Sequence, residues 1–128
     1  MAANIRLIHA NDFLQVTSEG TLDLEQSKKM LLQIAAISGS SVKHDIILDT
    51  RKALSVLTVA DLYALASALN GYREDFRGKT ALLCPFDRFS DAEFLALCAQ
   101  NKGLRVRAFT EYEAAMTWLT ASATETLT

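Results

Sequence analysis

Apolar positions fall into runs of two kinds along the chain, some with a period of two or none and others with a period of three to four. Ile5 to His9 and Phe13 to Ser18 are short β-like runs flanking Asn11-Asp12, a pair suited to a tight turn. The second alternates Leu14 and Val16 with Gln15 and Thr17 and ends at Gly20, so a hairpin is predicted. Asp23 then offers an N-cap with Gln26 three residues on. Leu24, Leu31, Ile34, Ala35 and Ile37 form a helical stripe, with Lys28 and Lys29 turned outward. Gly39 stops this helix before a polar loop, Ser40 to Lys43. Ile46-Ile47-Leu48, ending at Asp49, reads as a strand buried on both faces. After an irregular stretch, Thr58 and Asp61 form a capping box for a helix carrying Leu62, Leu65, Ala66, Leu69, Tyr72 and Phe76.

Thr80-Ala81-Leu82-Leu83-Cys84 is a second continuous apolar strand. Ser90 and Glu93 predict a capping box for a third helix with Phe94, Leu97 and Cys98 inward, stopped at Gly103. Leu104 to Phe109 alternates with Arg105 and Arg107, the pattern of a strand at a sheet edge. Thr110 and Glu113 are expected to cap a last helix with Tyr112, Ala115, Met116 and Leu119 inward. The order is ββαβαβαβα, and right-handed crossovers make the later strands parallel. We expect one α/β domain over residues 4–119, a mixed, mostly parallel sheet of about five strands with helices packed on it, and a frayed polar tail over 120–128.

Composition narrows the function. With 128 residues, half of them hydrophobic, the chain can bury roughly two-thirds of its unfolded surface in a single core. That apolar content excludes disorder, and five Gly and one Pro exclude collagen-like architectures. A net charge of −2 gives no general attraction to nucleic acid or anionic lipid. No apolar run approaches the ~20 residues of a membrane span. The N-terminus lacks a signal-peptide pattern, so a cytoplasmic location is expected.

In an open α/β sheet, ligands sit beyond the carboxyl ends of the strands. Two segments meet there: Asp49 to Thr58, and Cys84 to Ser90. The residues expected to bind a ligand or partner are Asp49, Arg51, Ser55, Thr58, Phe86, Asp87, Arg88 and Ser90. Thr58 and Ser90 could present hydroxyls to an anion at a helix start, or serve as caps alone. Asp49 could orient a ligand, or bond its own loop. Phe86 and Phe89 could form a contact patch rimmed by Arg88, or pack beneath the loop. Arg105 and Arg107 with Arg6 could make a basic stripe, or merely guard an edge. Cys84 and Cys98 lack a C-x-x-C spacing and read as small buried hydrophobes. His9 and His44 have no metal-ligand spacing. The isolated glycines build no phosphate-cradling loop, and no G-x-S-x-G elbow occurs. A protein without catalysis or cofactor is expected, with a homodimer plausible from the edge strand and exposed rings.

Three stretches, Asp45-Ile46-Ile47-Leu48-Asp49 feeding a loop and helix, Gly78-Lys79-Thr80-Ala81-Leu82-Leu83, and Val106-Arg107-Ala108-Phe109-Thr110-Glu111-Tyr112-Glu113-Ala114-Ala115, resemble the STAS domain. This is the fold of anti-sigma-factor antagonists. The resemblance is one of pattern and topology over nearly the whole chain, and it looks closest to the stand-alone bacterial branch grouped with lipid-carrying SEC14-like domains. It implies a regulatory module that binds a protein partner, such as a kinase or anti-sigma-like regulator, or a small apolar or anionic ligand. The alternative it implies is a carrier of an apolar ligand such as a lipid; an enzyme acting on a small metabolite comes third. In signalling members an Asp-Ser-Ser/Thr-Gly tetrapeptide opens the helix after the third strand and one hydroxyl is phosphorylated. Here Leu57-Thr58-Val59-Ala60 stands in that place. Thr58 supplies a hydroxyl one position early, Val59 occupies the acceptor position and Ala60 replaces the glycine. Thr58 and Ser55 are the candidate phosphorylation sites.

Overall fold

The computed structural model describes residues 4–10, 13–38, 45–74, 76 and 78–121. Five strands form one sheet in the order β1-β2-β3-β4-β5. They are β1 (Asn4–Ala10), β2 (Phe13–Leu22), β3 (Asp45–Ser55), β4 (Lys79–Leu83) and β5 (Arg105–Phe109). β1 and β2 pair antiparallel, and every later pair is parallel. The hairpin and the mixed, mostly parallel sheet follow the expected topology. Its turn at Asn11-Asp12, the stop at Gly39, the loop Ser40 to Lys43, His44 and the tail from 122 onward lie outside the described residues. β5 is an edge strand, and Arg105 and Arg107 are exposed there, as their alternation predicts.

Helices α1 (Leu24–Ser38), α2 (Val59–Gly71) and α3 (Phe89–Asn101) cover one face. Their side chains join Leu14, Val16, Ile46, Leu48, Leu82 and Val106 in the larger core. The last helix, α4 (Tyr112–Thr120), covers the other face alone, over Ile47, Ala81 and Leu83. Two buried faces explain why β3 and β4 carry continuous apolar runs. Among the described residues, no helix is long and apolar enough to cross a membrane.

Five expectations need correction. Tyr72 and Phe76 are not on α2, which ends at Gly71; they stand in the turn that follows it. The stretch after Asp49 is not irregular: β3 runs on to Ser55 because β2 itself runs past Gly20 to Leu22 and supplies a pairing edge. The register slips between Thr17 and Glu19. Thr17 pairs with Asp49 but Glu19 with Lys52, so β3 holds one extra residue, a β-bulge. Side chains beyond it change face, and Ala53 and Ser55 join Leu48 and Thr50 on the α1–α3 side. Gly20, opposite Ala53, has φ 82°, a conformation other residues adopt only with strain.

The buried side of α3 is Ala92, Ala96 and Ala99, while Phe94 and Leu97 are exposed. Ser90 does not cap α3. A 3-10 turn, Phe86–Arg88, leads directly into the helix, so Ser90 is already its second residue and Arg88 occupies the cap position without a side-chain bond. Nor does Thr110 cap α4, which starts one residue later than that cap requires, with Glu111 at the cap position. The other ends match their chemistry. Asp23 Oδ1 accepts from the Gln26 N–H at 2.8 Å. At the end of α3, Gly103 N–H donates to Gln100 O and Leu104 N–H to Ala99 O, the paired bonds of a Schellman motif, with Gly103 at φ 88°.

Candidate functional site

The carboxyl ends of β3 and β4 open beneath the starts of α2 and α3. Between the sheet and the three helices lies a cavity of about 100 Å³. Leu48, Leu82 and Val106 form its floor, Met30 and Leu31 its α1 wall, Leu62, Leu65 and Leu69 its α2 wall, and Ala92 and Leu95 its α3 wall. Ser55, Leu57, Pro85, Arg88 and Asp91 also line it, from the strand ends and helix starts. The small side of α3 and the face change beyond the β3 bulge together decide what lines this space.

Of the eight residues expected to bind, the structure brings Ser55 and Arg88 to the same cavity. The Ser55 hydroxyl accepts from the Leu57 N–H at 3.5 Å. Arg88 is half-buried and makes no ion pair among the described residues. Phe86 and Asp87 share its 3-10 turn; Asp87 is exposed and the Phe86 ring is 87% exposed. Phe89 is instead half-buried against the larger core. Ser90 is exposed on the first turn of α3.

Asp49 and Arg51 belong elsewhere. Asp49 is 8% exposed and lies on the α4 side of the sheet, two residues from Ile47. Its carboxylate accepts from Arg51 Nε at 2.9 Å, from Arg51 Nη2 at 2.8 Å and from the Arg51 backbone N–H at 3.1 Å. Burial pushes this carboxyl up, but the Arg51 bonds and the charges of Arg51 and Lys52 outweigh it, leaving the carboxyl below its ordinary value. The same bond, against partial burial, raises the guanidinium. This is a closed pair, stabilising above the ordinary carboxylate pKa and lost as pH falls through the lowered one.

Thr58 caps α2 in a reciprocal arrangement. Its Oγ1 accepts from Asp61 N–H at 3.1 Å while Asp61 Oδ2 accepts from Thr58 N–H at 3.0 Å. Replacing Thr58 with alanine is expected to cost about 1 kcal/mol, within roughly 0.5–2. Urea unfolding of the purified variant measures this, and an unchanged midpoint would contradict the cap.

Cys84 is buried and its thiol is pushed up to about 11, first by burial and then by the charge of Asp87. It is protonated and unreactive at neutral pH. Cys98 is half-buried. No group of three or more His, Cys, Asp or Glu among the described residues is placed to hold a metal ion.

Sequence reasoning missed Thr80, which lines the cavity. Its signal was legible: a single hydroxyl in an otherwise apolar strand flanked on both sides by other strands.

No family model matches the chain, and no curated protein does. Solved structures do match. An anti-sigma factor antagonist from Mycobacterium paratuberculosis superposes with TM-score 0.64 at 13% identity, over 94% of this chain and 96% of that one. An uncharacterised protein of the DUF3478 family from Shewanella loihica, described as having a SpoIIAA-like fold, gives 0.61 at 12%, over 92% and 94%. The anti-sigma factor antagonist SpoIIAA in its unphosphorylated form gives 0.55 at 16%, over 92% and 100%.

Proposed function

We propose, from the STAS-like fold that this chain shares with anti-sigma factor antagonists, that it is a non-catalytic regulatory module binding a protein partner at the β3–α2 and β4–α3 junctions. The observation that carries this reading is Phe86. A phenylalanine left 87% exposed on a 3-10 turn gives up the roughly 1.5–3 kcal/mol that burial would return. Val56 and Val59, also exposed, stand at the neighbouring junction. Asp87 and Arg88 flank the ring with one charge of each sign, suited to the polar rim of an interface.

Phosphorylation enters this reading at Thr58 or Ser55. A phosphate on Thr58 adds about −1.5 to −2 charges beside Asp61 and breaks the reciprocal cap, changing the surface next to Val59.

The test is capture from a lysate of the source organism, followed by reconstitution with the purified captured protein. Phe86→Asp is expected to weaken that complex about 30-fold or more, as a central anchor does, without lowering the melting temperature. A partner held equally well by this variant would overturn the assignment.

A second reading, a carrier of an apolar ligand, is favoured by the cavity between the sheet and α1–α3.

A further inference from the structure

We propose that this cavity is the side-chain pocket of a site for a free aliphatic α-amino acid of about leucine's size, with Arg88 holding the ligand's carboxylate and Asp91 its ammonium group. The inference rests on the second reading above, that the cavity holds an apolar body, and adds the charged head that this body carries.

The cavity is apolar along most of its length and charged at one end. Leu62, Leu65, Leu69 and Leu82 line its length. Arg88 and Asp91, at the cap position and in the first turn of α3, stand where β4 ends and the helices begin. Among the described residues they are the two charged side chains of the lining, one of each sign, and both are half-buried. An arginine and an aspartate three positions apart at a helix start are near enough to attract each other. Here they form no ion pair, and neither has another ion-pair partner among the described residues. Each has lost part of its hydration without a partner to replace it, which a ligand bearing both complementary charges supplies.

The head has to carry both signs. A carboxylate alone would gain Arg88 but meet Asp91, with Asp87 exposed on the preceding turn; an amine alone would gain Asp91 but meet Arg88. An α-amino acid carries the two groups on one carbon, and its side chain leaves that same carbon toward the leucines. The lining hydroxyls of Ser27, Thr50, Ser55 and Thr80 are uncharged and do not choose between these heads. Size limits the side chain. An apolar cavity of about 150 Å³ accommodates benzene, so about 100 Å³ takes a body of roughly four heavy atoms, the isobutyl group of leucine.

Four probes share one branched end: L-leucine, 4-methylpentanoate, 3-methylbutylamine and the neutral 3-methylbutanol. Titrated into the full chain, leucine is expected to shift the methyl NMR signals of Leu62, Leu65 and Leu82 and to bind about ten-fold more tightly than 3-methylbutanol. Arg88→Gln and Asp91→Asn are each expected to weaken leucine about ten-fold and leave 3-methylbutanol unchanged. Each variant should also gain a probe, 3-methylbutylamine binding more tightly to Arg88→Gln than to the unaltered protein, and 4-methylpentanoate to Asp91→Asn. A merely structural role for either residue does not produce that exchange. Methyl shifts with 3-methylbutanol, but leucine held no more tightly than it or equally well by both variants, would overturn the zwitterionic head and leave the cavity reading standing. No methyl shift with any of the four probes, each taken to its solubility limit, would overturn both.

Discussion

Truncating Phe76 to alanine is expected to lower the stability of this domain by about 3–5 kcal/mol. Phe76 is 2% exposed, lies in the turn after α2 and is the bulkiest of the fully buried side chains. It packs within the core that joins α1, α2 and α3 to the sheet. Removing the ring forfeits its transfer free energy and leaves a void that close-packed neighbours refill only in part. Domains of this size have total stabilities of about 5–15 kcal/mol, so the variant should stand near the edge of folding. Urea unfolding followed by circular dichroism measures the loss, and a value under about 1 kcal/mol would place Phe76 outside the core.

The second large effect is on the opposite face of the sheet. Ile47→Ala is expected to cost about 2–5 kcal/mol. Ile47 is fully buried among Ala81, Leu83, Ala115 and Leu119, a small cluster roofed by α4 alone. All four of these partners are leucine or alanine, so little can move in to fill the space. The single tryptophan reports on this face directly. Trp118 packs at the edge of the cluster, with its ring 5.7 Å from that of Phe109 and near Lys79 and Arg107. In the variant, Trp118 fluorescence should change at lower urea than the far-ultraviolet signal, because α4 loosens before the sheet does. Coincident and unshifted transitions would show that α4 is held by something other than this cluster.

Much of the fold was legible because period and burial agree. Ile46 to Leu48 and Ala81 to Leu83 read as inner strands from their unbroken apolar runs, and they pair with each other in parallel. Arg105 and Arg107 marked β5 as an edge. The face of α3 was not legible. Ala92, Ala96 and Ala99 recur at helical spacing, and so do Phe94, Leu97 and Cys98. Periodicity alone favours the larger side chains, but the small ones are those the packed helix buries, with Leu95 beside them.

The candidate site was legible in outline and not in membership. Its location at the ends of β3 and β4 follows from topology. Asp49 and Arg51 dropped out because a strand alternates faces, which set them on the α4 side of the sheet where they satisfy each other. Ser55 came in because a single inserted residue in β3 reversed that alternation. Thr80 came in because its partnerless state exists only when the walls around it are assembled.

Taken alone, the amino-acid order determined which segments are strands and helices, their succession and the helix starts at Asp23 and Thr58, since each depends on residues a few positions apart. Tertiary structure decided how far β2 and β3 extend, which side of α3 is buried and which polar groups share the cavity. These depend on register and on distances between segments remote in the chain, and no local pattern encodes them.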